Sequence, residues 1–212
     1  MITEVTVRLR ARPERDETIA ISLPANDDLD SWLAKVRALP FTSLAAEMVN
    51  ASLASALGAG DRPLLLARLG GNDDAVRAQR QLIGAFGDAV SAPPDIWRAL
   101  AEIEPPGAAV ARVSAPPSRL HALWNRLASD EDALVHATVG RGIVRTIRLS
   151  SSAAAPWLER IALCEGTHIF ERLPAESWGD IPSRVSDPLS RAVRGAFDPA
   201  GVLNRGILGD IA

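Results

Sequence analysis

A chain of 212 residues with 23% charged residues and a formal net charge of −3 is composed like an ordinary globular protein, can bury a sizeable core, and lacks the basic excess of a general nucleic-acid binder. No apolar run approaches the roughly 20 residues that span a bilayer, so no membrane insertion is expected. Cys164 is the single cysteine, which excludes an internal disulfide and suits a reducing compartment; Glu4, Arg8, Arg10 and Arg12 interrupt any apolar leader, and a cytoplasmic location is expected.

Residues 1–16 are polar and charged apart from a short alternating piece from Val5 to Leu9, and read as a lead-in strand or linker. After it, one pattern runs twice. In the first unit, residues 17–92, Ile19, Ile21 and Leu23 alternate within a strand over Thr18–Leu23. Asn26-Asp27-Asp28 can cap the free amides of a helix start. Leu29, Trp32, Leu33, Val36 and Leu39 then recur along one helix face. Strands near Leu44–Asn50 and Pro63–Leu69 follow. A second helix starts at Asn72-Asp73-Asp74 and turns Val76, Leu82, Ile83 and Phe86 inward, and a short strand at Ala89–Ala92 closes the unit.

A connector over 93–107 holds Pro93-Pro94, a helix with Trp97 and Leu100, and Pro105-Pro106-Gly107. The second unit, residues 108–174, runs through strand Ala109–Ser114, helix Ser118–Ala128, strands Ala133–Val139 and Ile143–Leu149, helix Ala155–Cys164 and strand His168–Leu173. Residues 175–212 carry a last helix from Pro188 to Phe197, with Leu189, Val193, Ala196 and Phe197 as its predicted buried stripe, and then a tail. The order βαββαβ in both units is the ferredoxin-like one. The predicted fold class is α+β: two ferredoxin-like halves forming an antiparallel sheet with helices on one face. The other face is left for a ligand or partner.

The tail, Phe197-Asp198-Pro199-Ala200-Gly201-Val202-Leu203-Asn204-Arg205-Gly206, resembles the FDPxGxxNPGR-type ending of FAD-linked oxidases of the vanillyl-alcohol-oxidase type, among them the FAD-binding subunits of glycolate oxidase. Shorter pieces are similar to the same family in the same order: Trp97-Arg98-Ala99-Leu100, Val113-Ser114-Ala115-Pro116-Pro117-Ser118-Arg119-Leu120, His136-Ala137-Thr138-Val139-Gly140 and Ser177-Trp178-Gly179. The resemblance implies the cap, or substrate-side domain, of an oxidoreductase that oxidises a small 2-hydroxy acid with FAD. Two departures matter. The family's two-lobed FAD domain has no counterpart here, and Gly70-Gly71 lacks the glycine spacing of a pyrophosphate cradle. Asn204 and Arg205 are what the tail would offer a flavin, but the family's proline is absent and its arginine has moved. The chain alone is therefore expected neither to hold FAD nor to turn over substrate. An FAD-binding domain or flavoprotein subunit is the implied partner. The alternative is a non-catalytic ferredoxin-like binding module, or an assembly subunit that docks on a flavoprotein.

No Ser-His-Asp, Cys-His or HExxH arrangement is present, and no metal ligand set. Alternation places His136 and Thr138 opposite Val135, Ala137 and Val139. If the apolar side meets the helices, His136 faces the other way, where an imidazole can take a proton near neutral pH; its plainer role is that of a satisfied surface histidine. Arg68, Arg112 and Arg148 lie on strands, where a guanidinium can grip a carboxylate bidentately or simply pair with an acidic neighbour such as Glu47. His136, Arg68 and Arg148 are the candidate catalytic residues. The predicted outward set joins these to Arg112, Leu64 and Leu66. His121 is expected to be solvated, His168 to cap or face water, and Cys164 to be buried.

Overall fold

The computed structural model describes residues 12–149, 154–175, 177, 181 and 188–202. The Val5–Leu9 piece, Trp178-Gly179, Asn204 and Arg205 lie outside them. The first unit comprises strand β1 (Arg15–Ser22), helix α1 (Leu29–Arg37), β2 (Ala45–Val49), α2 (Ala51–Ala56), β3 (Leu64–Gly71), α3 (Asp73–Gly84) and β4 (Ala89–Ser91). Helix α4 (Ile96–Ala101) lies in the connector. The second unit comprises β5 (Ala109–Ser114), α5 (Leu120–Leu127), β6 (Ala133–Thr138), β7 (Ile143–Arg148), α6 (Ala154–Ala162) and β8 (Thr167–Arg172), and α7 (Pro188–Phe197) follows.

The strands form one antiparallel sheet in the order β4-β1-β3-β2-β6-β7-β5-β8. Read outward from the middle, each half presents its second, third, first and fourth strand. This is the double ferredoxin-like plan, with the halves joined where β2 pairs with β6, Glu47 opposite Thr138 and Val49 opposite His136. β1 starts earlier than its apolar alternation predicts, because Arg15 and Asp16 pair with Gly71 and Gly70 at the end of β3.

Helices α1, α3, α5 and α6 cover one face. Their buried Leu33, Val76, Leu120, Trp124 and Trp157 pack on Ile19, Leu65, Ala111, Val135 and Val144 of the sheet. Full burial of each large aliphatic side chain contributes about 1.5–3 kcal/mol. Trp32 meets Phe86 edge-on at 5.9 Å. The Asn72 side chain accepts from the Ala75 amide at 2.8 Å and starts α3. The acidic pair Asp27-Asp28, predicted to cap α1, instead sits in a 3-10 turn without a side-chain cap bond. The turn after β5 is packed backbone to backbone. A Cβ on Gly142, whose φ is +63°, would stand 2.1 Å from the Ala115 carbonyl oxygen, so glycine is required there.

The opposite face is only partly open. Helix α2, which the strand pattern does not predict, and α4 lie across it. Leu53, Ala54, Leu57 and Ile96 pack on Ala20, Val49, Leu64, Leu66, Leu134 and Ile147. Leu64 and Leu66 point to this face as alternation requires, but they are 5% and 0% exposed rather than outward. The correction has a simple cause. The middle of β3 is apolar on both sides, and a strand apolar on both sides needs cover on both. Trp97 fixes α4 by donating from Nε1 to Thr18 Oγ1 at 2.7 Å.

Helix α7 reverses its prediction. Leu189, Val193 and Phe197 lie on its exposed side, Phe197 at 83%, and no residue of the helix is buried. Amphipathic spacing identifies an apolar face but not what covers it. No helix among the described residues is long and apolar enough to cross a membrane.

Candidate functional site

The uncovered part of the second face lies over β6, β7, β5 and β8 with the adjoining edge of β2. Strand register sets one row across it: Val49, His136, Arg145, Arg112 and Ile169. A second row runs Glu47, Thr138, Ile143 and Ser114. Apart from the buried Val49, the side chains of these rows are half-buried, and most are polar or charged.

His136 Nδ1 stands 3.0 Å from Glu47 Oε2, and Thr138 Oγ1 donates to Glu47 Oε1 at 2.6 Å. Arg145 donates from Nε to Glu171 Oε2 at 2.7 Å and also pairs with Glu104, which comes from the connector. Arg172 reaches Glu104 at 3.4 Å. Arg112 is the least committed of the three arginines. Its nearest carboxylate, Glu171, is 3.6 Å away, and its Nε is screened from solvent without a hydrogen bond. Glu171 is drawn to Arg145, which leaves Arg112, among the described residues, with that long contact as its carboxylate pairing. An incoming carboxylate would complete it, since a guanidinium and a carboxylate match as a bidentate pair.

The three predicted catalytic residues are not brought together. His136 occupies the open face. Arg68, on β3, is on the same side of the sheet and two strands from His136, but four residues along from Leu64, which shares the His136 row; there it grips Asp16 with both Nε, at 2.8 Å, and Nη2. That hydrogen bond holds the Asp16 carboxyl below its ordinary range and raises the Arg68 guanidinium. Arg148 lies on the helix side, in correction of the predicted outward set. It shares that side with Thr146 and Val144, and its Nη1 lies 3.1 Å from buried Asp130 and its Nη2 3.4 Å from Asp132. Period-two alternation forces this, because Arg148 cannot face away from Val144. Glu47, proposed from sequence as an arginine partner, is instead the partner of His136. The signals for Arg112 and Arg145 were the outward positions of β5 and β7; Arg145 escaped notice because its carboxylate partners come from distant segments.

The remaining histidines and the cysteine are structural. His121 Nδ1 lies 3.1 Å from Asp30 on α1, linking the first helices of the two units. His168 is buried beside Phe170, at 5.4 Å between rings, rather than facing water. Cys164 is buried as predicted, and burial pushes its thiol up, away from the reactive thiolate. No group of three histidine, cysteine or carboxylate residues able to hold a metal occurs among the described residues.

No family model matches this chain, and no curated protein sequence matches it. Among solved structures it is similar to p-cresol methylhydroxylase with substrate bound, at 14% identity and a TM-score of 0.56, over 93% of this chain and 53% of that one. It is also similar to alkyldihydroxyacetonephosphate synthase, at 15% identity and a TM-score of 0.43, over 96% of this chain and 45% of that one. At such identities the likeness to p-cresol methylhydroxylase is one of fold, and this chain spans about half the length of either protein.

Proposed function

We propose that this chain is the substrate-side domain of an FAD-linked oxidoreductase of the glycolate-oxidase type, acting on a small 2-hydroxy acid and completed by an FAD-binding domain or flavoprotein subunit. The fold shared with about half of p-cresol methylhydroxylase and the tail resembling the FAD-linked oxidases support the assignment. The observation that carries it is the register row of the open face, where His136 and the under-committed Arg112 flank Arg145.

The described residues do not fit FAD as a resident cofactor. Gly70 and Gly71, the one adjacent glycine pair among them, are paired to β1 within the sheet, so their backbone cannot cradle a pyrophosphate. Redox chemistry is thus assigned to the partner, and this chain binds and orients the substrate. Arg112 takes the carboxylate. His136 lies two strands away, about 10 Å by backbone spacing, within reach of a small acid held by a long arginine side chain. It accepts the hydroxyl proton. Seating the partner on this face would exclude water from both.

The test is to purify the tagged chain with the flavoprotein that accompanies it and to assay oxidation of glycolate and lactate with an artificial electron acceptor. The expected complex is yellow and oxidises 2-hydroxy acids. Arg112→Ala should raise KM about tenfold or more, as the loss of a hydrogen bond to a charged group does. His136→Ala should lower kcat by roughly 10²–10⁴-fold. A flavin-loaded complex that oxidises no 2-hydroxy acid refutes the proposal. That outcome supports a second reading, a docking module without catalytic residues, which the exposed stripe of Leu189, Val193 and Phe197 on α7 favours.

A further inference from the structure

We infer that Glu47 is a positioning residue for His136: it holds the imidazole as the Nδ1–H tautomer and leaves Nε2 as the proton acceptor on the open face. The role of that acceptor in turnover rests on the function proposed above; the tautomer itself does not.

The geometry is specific. A carboxylate only accepts hydrogen bonds, so with Glu47 Oε2 3.0 Å from Nδ1 the proton belongs on Nδ1. The other oxygen, Oε1, accepts from Thr138 Oγ1 at 2.6 Å, which fixes the plane of the carboxylate. Glu47 and His136 side chains are 14% and 18% exposed, enough shelter for the contact to outlast competition from water. Among the described residues no hydrogen bond reaches Nε2. Arg145, the cross-strand neighbour of His136, does not compete for Glu47, because Glu104 and Glu171 occupy its guanidinium. Which ring nitrogen carries the proton is set by the bond the other nitrogen makes. An unheld imidazole favours the opposite form, Nε2–H.

The pair spans the seam between the two halves. Glu47 comes from β2 of the first, and His136 and Thr138 from β6 of the second. A slip of one residue at this seam would send the facing set of one strand to the other side of the sheet. Asn50 guards against it. Its Oδ1 accepts from the amides of Val135 and Leu53, and its Nδ2 donates to the Ala133 carbonyl at 2.9 Å. One buried side chain therefore caps α2 and pins the register that brings acid and base together.

Long-range 1H–15N correlation spectra of the full chain, uniformly 15N-labelled and recorded above neutral pH, read the tautomer without flavin or substrate. The expected result is Nδ1–H for His136 in the wild type and a shift toward Nε2–H in Glu47→Ala, with other amide resonances unchanged. A wild-type ring in the Nε2–H form overturns the inference, and that measurement stands even if the variant does not fold. A folded Glu47→Ala chain whose ring stays Nδ1–H overturns it too. In the flavoprotein complex, Glu47→Ala should lower kcat with KM little changed, and by less than the roughly 10²–10⁴-fold expected for loss of the base itself. An Nδ1–H ring in a complex that turns over no 2-hydroxy acid would refute the proposed function while upholding the positioning role.

Discussion

The two ends of one sheet face invite comparison. Over β1, β3 and the seam, the face carries Ala20, Leu64, Leu66 and Val49 and is roofed by α2 and α4. The roof also reaches Leu134, Ile147 and Val110 on β6, β7 and β5, but further along these strands His136, Arg145 and Arg112 lie outside the apolar cluster under it. The two halves share a connectivity, so the difference does not come from topology. It comes from two short insertions, α2 after β2 and α4 in the connector, and from the residues that answer them. Where a helix lies above, the strand offers aliphatic side chains. Where none does, it offers ion pairs that stay half in water. One face of a sheet can thus give part of its area to stability and part to recognition.

The sharpest way to break this contrast is to cut into the roofed part. Leu66→Ala should cost about 2–5 kcal/mol, the range for truncating a fully buried leucine, read from denaturant melts of the full chain. A loss under about 0.5 kcal/mol would mean that α2 and α4 are not seated in solution. Asn50→Ala comes next. It strips partners from the Val135 and Leu53 amides and the Ala133 carbonyl, and should cost about 1–3 kcal/mol, the penalty for a buried polar group left unsatisfied. Hydrogen exchange should quicken first at the β2·β6 seam; exchange that quickens uniformly would show that Asn50 does not pin that seam.

The Arg68–Asp16 pair is a smaller, pH-dependent case. Its hydrogen bond depresses the folded pKa of Asp16. The stabilisation is therefore fully present above the unfolded value of about 3.9 and is lost as pH falls through the lower folded value. Because both side chains are partly exposed, its size should be only about 0.2–1 kcal/mol. Stability curves of wild type and Asp16→Asn should converge as the pH drops below that unfolded value. Curves that stay parallel would remove the pair from the acid response. Smallest is Arg112→Ala on the open part, expected to move stability by no more than about 0.5 kcal/mol while impairing the proposed substrate binding. A large drop in melting temperature would make Arg112 a structural residue and erase the division between the two ends of the face.

Much of the architecture was legible locally. Ile19 and Ile21, Val135 and Ala137 alternate, and the stripes of α1 and α5 recur at helical spacing; such periods depend only on neighbours in the chain. The missed element, α2, has a six-residue span too short for a helical period to show, and its one signal was Asn50 at the cap position. The α7 stripe was visible as apolar but not as exposed, since nothing in a local pattern names the surface it meets.

The sequence by itself determined which side of its strand each candidate residue takes. His136 must oppose Val135 and Ala137, and Arg148 must share a side with Val144, because a strand's side chains alternate whatever surrounds them. Only the tertiary structure decided what each one meets. Glu47 and His136 are 89 residues apart in the chain and touch because two separate halves pair at β2 and β6. Leu64 and Leu66 are buried because α2 and α4 fold across them. Alternation is a property of the local backbone, whereas partnership and burial arise from contacts between distant segments, which no short-range pattern encodes.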